Sequence, residues 1–578
     1  MTTRFHTGPL LDNQYEADHR LRSYLRRALP AAVHAEVEPD LRRMGARVVT
    51  DIPAMADDAE SREPRLVQYD PWGQRIDRII TAQGWRDLDA VSAEEGLVAI
   101  GYERTHGEFS RLYQFAKLYL FTPSSAVYTC PLGMTDGAAR LIEVHGDEEL
   151  KREPYRRLTS RDPQQFWTSG QWMTERAGGS DISNTETVAR GEASGFRLHG
   201  DKWFTSATTS QIAITLARIE DAEGRSTPGS RGLSLFYLET HRTDGTLNHI
   251  TIHRLKDKLG TRAVPTAEIT LDGTPARLVG EPGHGVRQIA TLFNITRIYN
   301  AIAAVSSMRR CIALLQDYAR RRIAFGKNLA DHPLFVETLA RMEVELAGAF
   351  HLTFYMAELL GKEECRVGTP QDSAVLRLLT PLAKLYTAKQ AIAVASEVLE
   401  GFGGAGYVED TGLPKLLRDA QVLSIWEGTT NVLSLDVLRA IRKDEILPAF
   451  FRDALQRLDR VREPQLSAHV ENVRSAVQAL IRYSNRMLTE GSDFAEAGAR
   501  GFAYGLCRTF AASLLLEHAD WSSAIEHDTR AALAAQRWCE QDLAPLIAPD
   551  VQHRTESRAL ALDGSLSAAP PAFQHSTS

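Results

Sequence analysis

From Phe166 to Gly285 the hydrophobic residues recur at every second position: Ile212, Ile214 and Leu216, then Leu233, Leu235 and Tyr237, then Ile250 and Ile252, then Ile269 and Leu271. This period, with Gly, Asp and Pro between the runs, predicts the strands of a sheet or small barrel. On both sides the period is helical. The first 150 residues or so read as helices, punctuated by turns at Asp70-Pro71-Trp72-Gly73 and Thr122-Pro123-Ser124-Ser125. After Gly285, the positions Val286, Ile289, Leu292, Phe293 and Thr296 share one face of a long helix that runs to Arg320-Arg321-Arg322. Further helices follow through Leu438, and Leu466, Val470, Val473, Val477, Leu480 and Phe502, Leu506, Phe510 mark amphipathic helices beyond them. The order helices, strands, helices predicts a β-domain between two helical domains. The expected boundaries are 1–160 for the N-terminal helical domain, 161–285 for the middle β-domain, 286–440 for the C-terminal helical bundle and 441–563 for an extra helical extension. The Ser-, Ala- and Pro-rich stretch 564–578 predicts a disordered tail.

At 578 residues the chain is too long for one ordinary domain. With 43% hydrophobic and 24% charged residues it has the balance of a globular protein. Its 67 Lys and Arg face 74 Asp and Glu, and a net charge of −7 sets up no strong field for nucleic acid or anionic membrane. No apolar run approaches the roughly 18 residues that span a bilayer. Met1-Thr2-Thr3-Arg4-Phe5-His6 lacks the apolar stretch of a secretory signal. The five cysteines are scattered and never spaced as CxxC, which excludes a disulfide framework or thiolate zinc site and predicts a reducing cytosol.

The sequence holds no GxSxG elbow, no HExxH and no phosphate loop of the GxxxxGK[ST] type. His249 and His253 are expected on one strand face, without the carboxylate or thiolate a metal site would need. Three segments carry candidate chemistry. In Gln171-Trp172-Met173-Thr174-Glu175-Arg176-Ala177-Gly178-Gly179-Ser180-Asp181, two glycines before Ser and Asp can present N–H groups and a hydroxyl to a phosphate, or form a plain tight turn. In Gly200-Asp201-Lys202-Trp203-Phe204-Thr205-Ser206, Trp203 and Thr205 are expected on one strand face, where they could stack on a planar ring and donate to its edge; alternatively Trp203 is core. The third runs from Glu400-Gly401-Phe402-Gly403-Gly404-Ala405-Gly406-Tyr407 through Lys415 and Arg418-Asp419 to Ile425-Trp426-Glu427-Gly428-Thr429-Thr430-Asn431. Its glycines permit close backbone approach. Glu427, between Trp and Gly, reads either as a desolvated and therefore stronger base or as a surface residue at a helix start.

In this order and architecture the three segments resemble the acyl-CoA dehydrogenase family over roughly 69–438. The stretch Glu400 to Asp419 fits the family's second signature throughout. Lys258-Leu259-Gly260-Thr261-Arg262, Gly280-Glu281-Pro282-Gly283-His284-Gly285 and Arg322-Ile323-Ala324-Phe325-Gly326-Lys327 support it. Tyr69-Asp70-Pro71-Trp72-Gly73-Gln74-Arg75, Leu255-Lys256-Asp257-Lys258-Leu259-Gly260, Ser424-Ile425-Trp426-Glu427-Gly428 and the long C-terminal extension make the chain most similar to the AidB-like branch. Departures are Trp172 and Asn184 where small residues are usual, Pro333 after His332 where a flavin-contacting Gln is common, and Trp426 in place of Tyr before the base.

The resemblance implies an acyl-CoA dehydrogenase with FAD as cofactor and Glu427 as α-proton base. It implies that Gln171, Met173, Thr174, Gly179, Ser180, Trp203, Thr205, Thr429 and Asn431 hold FAD, and that Arg322, Phe325, Gly403 and Gly404 hold it across a subunit interface. Asn294 and Arg297 match substrate-facing positions. Some relatives carry the base on the long helix; here that position is Thr296, which cannot serve. Cross-subunit residues imply a homodimer or homotetramer. Electron-transfer flavoprotein or O₂, as in an acyl-CoA oxidase, would accept the electrons. A competing expectation, also from the AidB-like branch, is a DNA-associated protective role. The segment 441–578 carries 15 Lys and Arg against 18 Asp and Glu, which disfavours a phosphate-binding surface there.

Overall fold

The computed structural model describes residues 8–193, 195–443 and 445–563, so the predicted tail 564–578 lies outside the described residues. Short helices open the chain: Gln14–Ala17, His19–Ala28, Ala31–Arg47 and Ile52–Ser61. Asp18 caps the second, its carboxylate accepting from Leu21 N at 3.0 Å. Two helices then enter the core, Phe109–Phe121 and Thr129–His145. Phe109–Phe121 is buried nearly all round, so its charges are paired: Arg111 with Asp136 and Glu364 at 2.8 and 2.7 Å, Lys117 with Glu95 at 2.7 Å. Removing one partner of such a pair would leave a buried charge uncompensated.

One part of this region is not helical. Strands β1 (Arg65–Tyr69) and β2 (Arg75–Ile80) form an antiparallel hairpin around the turn read from Asp70-Pro71-Trp72-Gly73. Asp70 Oδ1 accepts from both Trp72 N and Gln74 N at 2.8 Å, closing the turn locally. Leu66 and Ile79 then lie against the β-domain, and this tertiary contact overrides the helical reading.

The β-domain contains β3 (Ser169–Gln171), β4 (Val188–Glu192), β5 (Gly195–Ser206), β6 (Ile212–Ile219), β7 (Leu233–Glu239), β8 (Ile250–Leu255) and β9 (Thr266–Val279). Pairing runs β6–β4–β5–β9–β7 and back to β6, which closes a barrel; β3 adds to β6 and β8 to β9. The alternation read in the sequence separates two cores. Ile212, Ile214, Leu216, Leu233, Leu235 and Tyr237 pack outward against Leu141, Ile289 and Leu292 of the flanking helices. Ala213, Phe236 and Leu238 point the other way, with Trp172, Leu198 and Ile269. Both faces are therefore buried.

His249 is not on the strand. It precedes β8 with φ of 58°, so the alternation that would align it with His253 is broken. Its Nε2 lies 2.9 Å from Arg242, that of His253 2.7 Å from Thr270 Oγ1, and no group suited to a metal occurs among the described residues.

The helical period returns in Gly285–Arg321, then Pro333–Glu364 and Pro370–Gly401, the last started by a capping box between Thr369 and Asp372. Leu413–Leu423 and Thr430–Ile441 complete the bundle. Among the described residues five more α-helices follow: Ile446–Leu458, Ser467–Thr489, Ser492–Ile525, Arg530–Cys539 and Val551–Ala561. Val470, Val473, Val477 and Leu480, with Phe502, Leu506 and Phe510, join the bundle's core rather than a separate one. Trp538 is fully buried and lies on Gly348 of the bundle. No helix among the described residues is long and apolar enough to cross a membrane.

Candidate active site

A cavity of about 680 Å³ opens between the barrel and the helices Thr129–His145, Gly285–Arg321 and Leu413–Leu423. Glu427 lines it from the turn after Leu413–Leu423. The residue is in the left-handed region, φ 56°, followed by Gly428 at φ 104°. For a side chain other than Gly this conformation costs about 1–3 kcal/mol and persists only where the surroundings fix it.

Two side chains hold the carboxylate. Thr296 Oγ1 donates to Oε2 at 2.7 Å, and Gln171 Nε2 donates to Oε1 at 3.2 Å. Burial pushes the Glu427 carboxyl above the usual carboxylate range; the Thr296 hydroxyl, the Arg297 and Lys384 charges and Gln171 pull against it. The outcome is a desolvated carboxylate with raised basicity at the wall of an apolar cavity. Cys130 shares the cavity, and burial pushes its thiol up to about 12, so it stays protonated.

The segment around Glu427 is held from two helices. Asn300 Nδ2 donates to Leu423 O at 3.1 Å, and its Oδ1 accepts from the Trp426 indole. Lys384, fully buried in Pro370–Gly401, donates to Trp426 O and Gly428 O, both at 2.6 Å. Neither Asn300 nor Lys384 was a candidate from sequence. The one signal was a charged residue in the apolar run Leu382-Ala383-Lys384-Leu385.

Around Glu427 the structure gathers Gln171, Met173, Thr174, Gly179, Ser180, Arg297 and Thr429 on the cavity wall. Arg297 is tied to Asp436 at 2.9 Å, while its Nε is buried without a partner. Asn294 is adjacent to the wall residue Phe293 but is not itself a wall residue, nor is Asn431. Trp203 and Thr205 do not share an environment. A bulge between Lys202 and Thr205 interrupts the alternation, leaving Thr205 fully buried with its hydroxyl on Ala267 O, 2.9 Å, and Trp203 half-buried under Lys256 Nζ, 3.4 Å from the ring centre. The neighbours Phe204 and Ser206 reach the cavity instead.

Arg322, Phe325, Gly403 and Gly404 lie away from this cavity. The Tyr318 and Phe402 rings, 4.6 Å apart, bring the Arg322 turn and the Gly403 loop side by side. Phe325 is 98% exposed there, and a Cβ on Gly403 or Gly404 would meet nothing within 4 Å. A second, larger cavity of about 1120 Å³ between β2 and the 241–247 loop contains none of the candidate residues.

The barrel and its flanking helical bundles have known relatives. Residues 170–274 match the acyl-CoA dehydrogenase middle domain and 283–442 its C-terminal domain. Residues 10–163 match the N-terminal domain of the adaptive response protein AidB, and 445–566 a C-terminal domain like that of acyl-CoA dehydrogenase 11. The chain belongs to the acyl-CoA dehydrogenase family, whose members are oxidoreductases acting on the CH–CH group of acyl-CoA, and within it to the AidB-like branch. It is 44% identical to acyl-CoA dehydrogenase family member 11 of Caenorhabditis elegans, over 93% of this chain and 89% of that one. It is 32% identical to AidB of Escherichia coli over 67% and 70% of the two chains. The crystal structure of C. elegans ACDH-11 in complex with C11-CoA superposes with a TM-score of 0.94 at 42% identity, covering 98% of each chain.

Proposed function

We propose that the protein dehydrogenates an acyl-CoA thioester between Cα and Cβ, with Glu427 as the base that removes the α-proton. The observation that carries this reading is the Glu427 carboxylate itself, desolvated, anchored by Thr296 and Gln171, and facing the cavity. The solved relative bound to C11-CoA supports an acyl-CoA ligand of that class.

The wall residues fit FAD, the cofactor of the family. Gln171 Oε1 is buried without a hydrogen-bond partner, an acceptor aimed at a group the protein does not supply. Gly179 packs so closely on Thr174 that an added Cβ would come within 3.1 Å of its hydroxyl, keeping that stretch of wall thin. Met173, Thr174, Gly179, Ser180 and Thr429 would hold FAD from this chain. Trp203 and Asn431 are assigned to it by the family resemblance alone, and Thr205, buried with its hydroxyl already donated to Ala267 O, would not donate to it. Arg322, Phe325, Gly403 and Gly404 would reach the FAD of a neighbouring subunit, which makes a homodimer the smallest complete unit. When bound, FAD supplies the acceptor for the β-hydrogen, taken as hydride.

The chain's own residues do the rest. An α-proton beside a thioester is far less acidic than a carboxylic acid, so Glu427 needs help from groups that stabilise the developing enolate. The Glu427 N–H makes no hydrogen bond among the described residues, and we assign it as a donor to the thioester oxygen. Preorganised donors of this kind contribute several kcal/mol. Thr296 and Gln171 fix the carboxylate so that one of its oxygens meets the α-hydrogen, and they remain as donors before and after proton transfer. Arg297 stands beside this group at the cavity wall, where it faces substrate. Asn294 is assigned to the same approach. The electrons leave to electron-transfer flavoprotein or to O₂. Anaerobic titration of the yellow protein with a panel of acyl-CoAs tests the reading: flavin bleaching by wild type, and none by Glu427→Gln with its flavin content intact. Bleaching by none of the acyl-CoAs sinks the activity; full bleaching of Glu427→Gln sinks the base.

A further inference from the structure

Lys384 is an unusual buried lysine. Its side chain is fully enclosed, and its two shortest bonds go to neutral carbonyl oxygens rather than to a carboxylate. Those carbonyls belong to Trp426 and Gly428, the residues on either side of Glu427. For both oxygens to converge on one Nζ at 2.6 Å, the chain between them must reverse, and it does so through the positive φ values of Glu427 and Gly428. Two C=O dipoles aimed at one point repel each other, and an unmade bond to either would leave an acceptor facing the enclosed side chain of Lys384. An ammonium or amine between them turns repulsion into attraction, since either form has the two N–H donors the carbonyls need.

The clamp works together with Asn300, which holds Leu423 O and the Trp426 indole from Gly285–Arg321. That helix also carries Thr296, one turn earlier, on the Glu427 carboxylate. The backbone of the turn and the carboxylate at its apex are thus fixed by separate side chains. Burial pushes the Lys384 amine down to about 7, with the Glu427 charge opposing the shift, as expected of an amine enclosed close to that carboxylate.

We propose that Lys384 is a positioning residue for the reaction: by holding the carbonyls of Trp426 and Gly428, it keeps Glu427 in the left-handed turn that directs its carboxylate and its N–H into the cavity. The inference rests on Glu427 being the base. A lysine that merely satisfied the core would affect stability and leave the chemical step alone. A positioning lysine sets the rate of proton abstraction and leaves the cavity's affinity intact.

The test uses the full-length, flavin-loaded protein and anaerobic stopped-flow flavin reduction by an acyl-CoA that bleaches the wild type. Lys384→Met should keep its flavin content and bind acyl-CoA within about twofold of wild type, while the limiting reduction rate falls about a hundredfold, the scale of a misplaced catalytic group. Lys384→Gln keeps an amide NH₂ donor, one bond shorter in reach than the lysine, and should recover part of the rate, and it carries the test if Lys384→Met does not fold. A wild-type reduction rate in Lys384→Met overturns the proposal, as does a loss fully accounted for by weaker acyl-CoA binding. If Glu427→Gln alone reduces at the wild-type rate, the base assignment fails. If Glu427→Gln is inactive and Lys384→Met is not, only the role of Lys384 fails.

Discussion

Thr296, in the first third of Gly285–Arg321, donates its hydroxyl to Glu427 Oε2 at 2.7 Å. A residue unable to act as a base is thereby the closest partner of the carboxylate proposed as one. The bond favours the ionised carboxylate and offsets part of the rise caused by burial. Thr296→Val keeps the shape and removes the donor. A hydrogen bond to a charged group contributes about 1.5–3 kcal/mol, or roughly one to two pKa units. Because the base must be ionised, the acidic limb of the kcat/KM profile should move to higher pH by that amount. The linked stability has the matching sign. A carboxyl whose folded pKa is raised stabilises the fold below its ordinary pKa, and this is lost as pH rises through the raised value. An unmoved limb in Thr296→Val would show that the bond does not govern Glu427.

The Arg322 turn and the Gly403 loop form one exposed surface, which under the proposed function reaches the FAD of a neighbouring subunit. A guanidinium can donate two parallel hydrogen bonds to pyrophosphate. Arg322→Ala should lower FAD affinity by tenfold or more, as expected for losing one charged bond of about 1.5–3 kcal/mol. The flavin-to-protein absorbance ratio after gel filtration reads this directly. A variant that elutes as the wild-type oligomer with full flavin has lost only a helix-end charge.

Charge pairing in the extension leaves fewer cations for a nucleic acid to meet. Several of its arginines face carboxylates: Arg460 meets Glu517 at 3.0 Å, Arg474 meets Asp459 at 2.6 Å, Arg530 meets Asp528 at 2.7 Å and Arg537 meets Glu337 at 3.2 Å. Duplex binding should be weak and should vanish at moderate salt, because few phosphates can be neutralised. Tight binding in a gel shift at physiological salt would favour the DNA-associated role instead.

Gly348 and Trp538 couple the extension to the bundle. A Cβ on Gly348 would meet the Trp538 ring at 2.3 Å, and the indole is pinned by donation to Arg508 O at 2.9 Å, so the ring cannot easily move aside. Gly348→Ala should therefore destabilise the protein by about 1–3 kcal/mol through overpacking, despite the better helix propensity of Ala. Thermal unfolding followed by Trp fluorescence should show a lower Tm; an unchanged Tm would mean that the extension shifts without cost.

The chain's sequence determined the succession of helices, barrel strands and helices, because hydrophobic period records which face of each element is buried. Gln171 to Ser180 and Glu427 stood out as candidate segments, each with a bland alternative, and the fold brings Gln171, Met173, Thr174, Gly179, Ser180 and Glu427 to one cavity wall. Period does not record partners. The hairpin of β1 and β2 forms because Leu66 and Ile79 find the β-domain, far away in sequence. The bulge after Lys202, which separates Trp203 from Thr205, follows from the register against β9. In the sequence Thr296 marks only a position where some relatives carry the base, and Lys384 only a charge in an apolar helical run. They acquire their roles only when tertiary packing removes water around Glu427, since in a desolvated site each donor must be matched to a particular oxygen, and the fold alone decides which one it reaches.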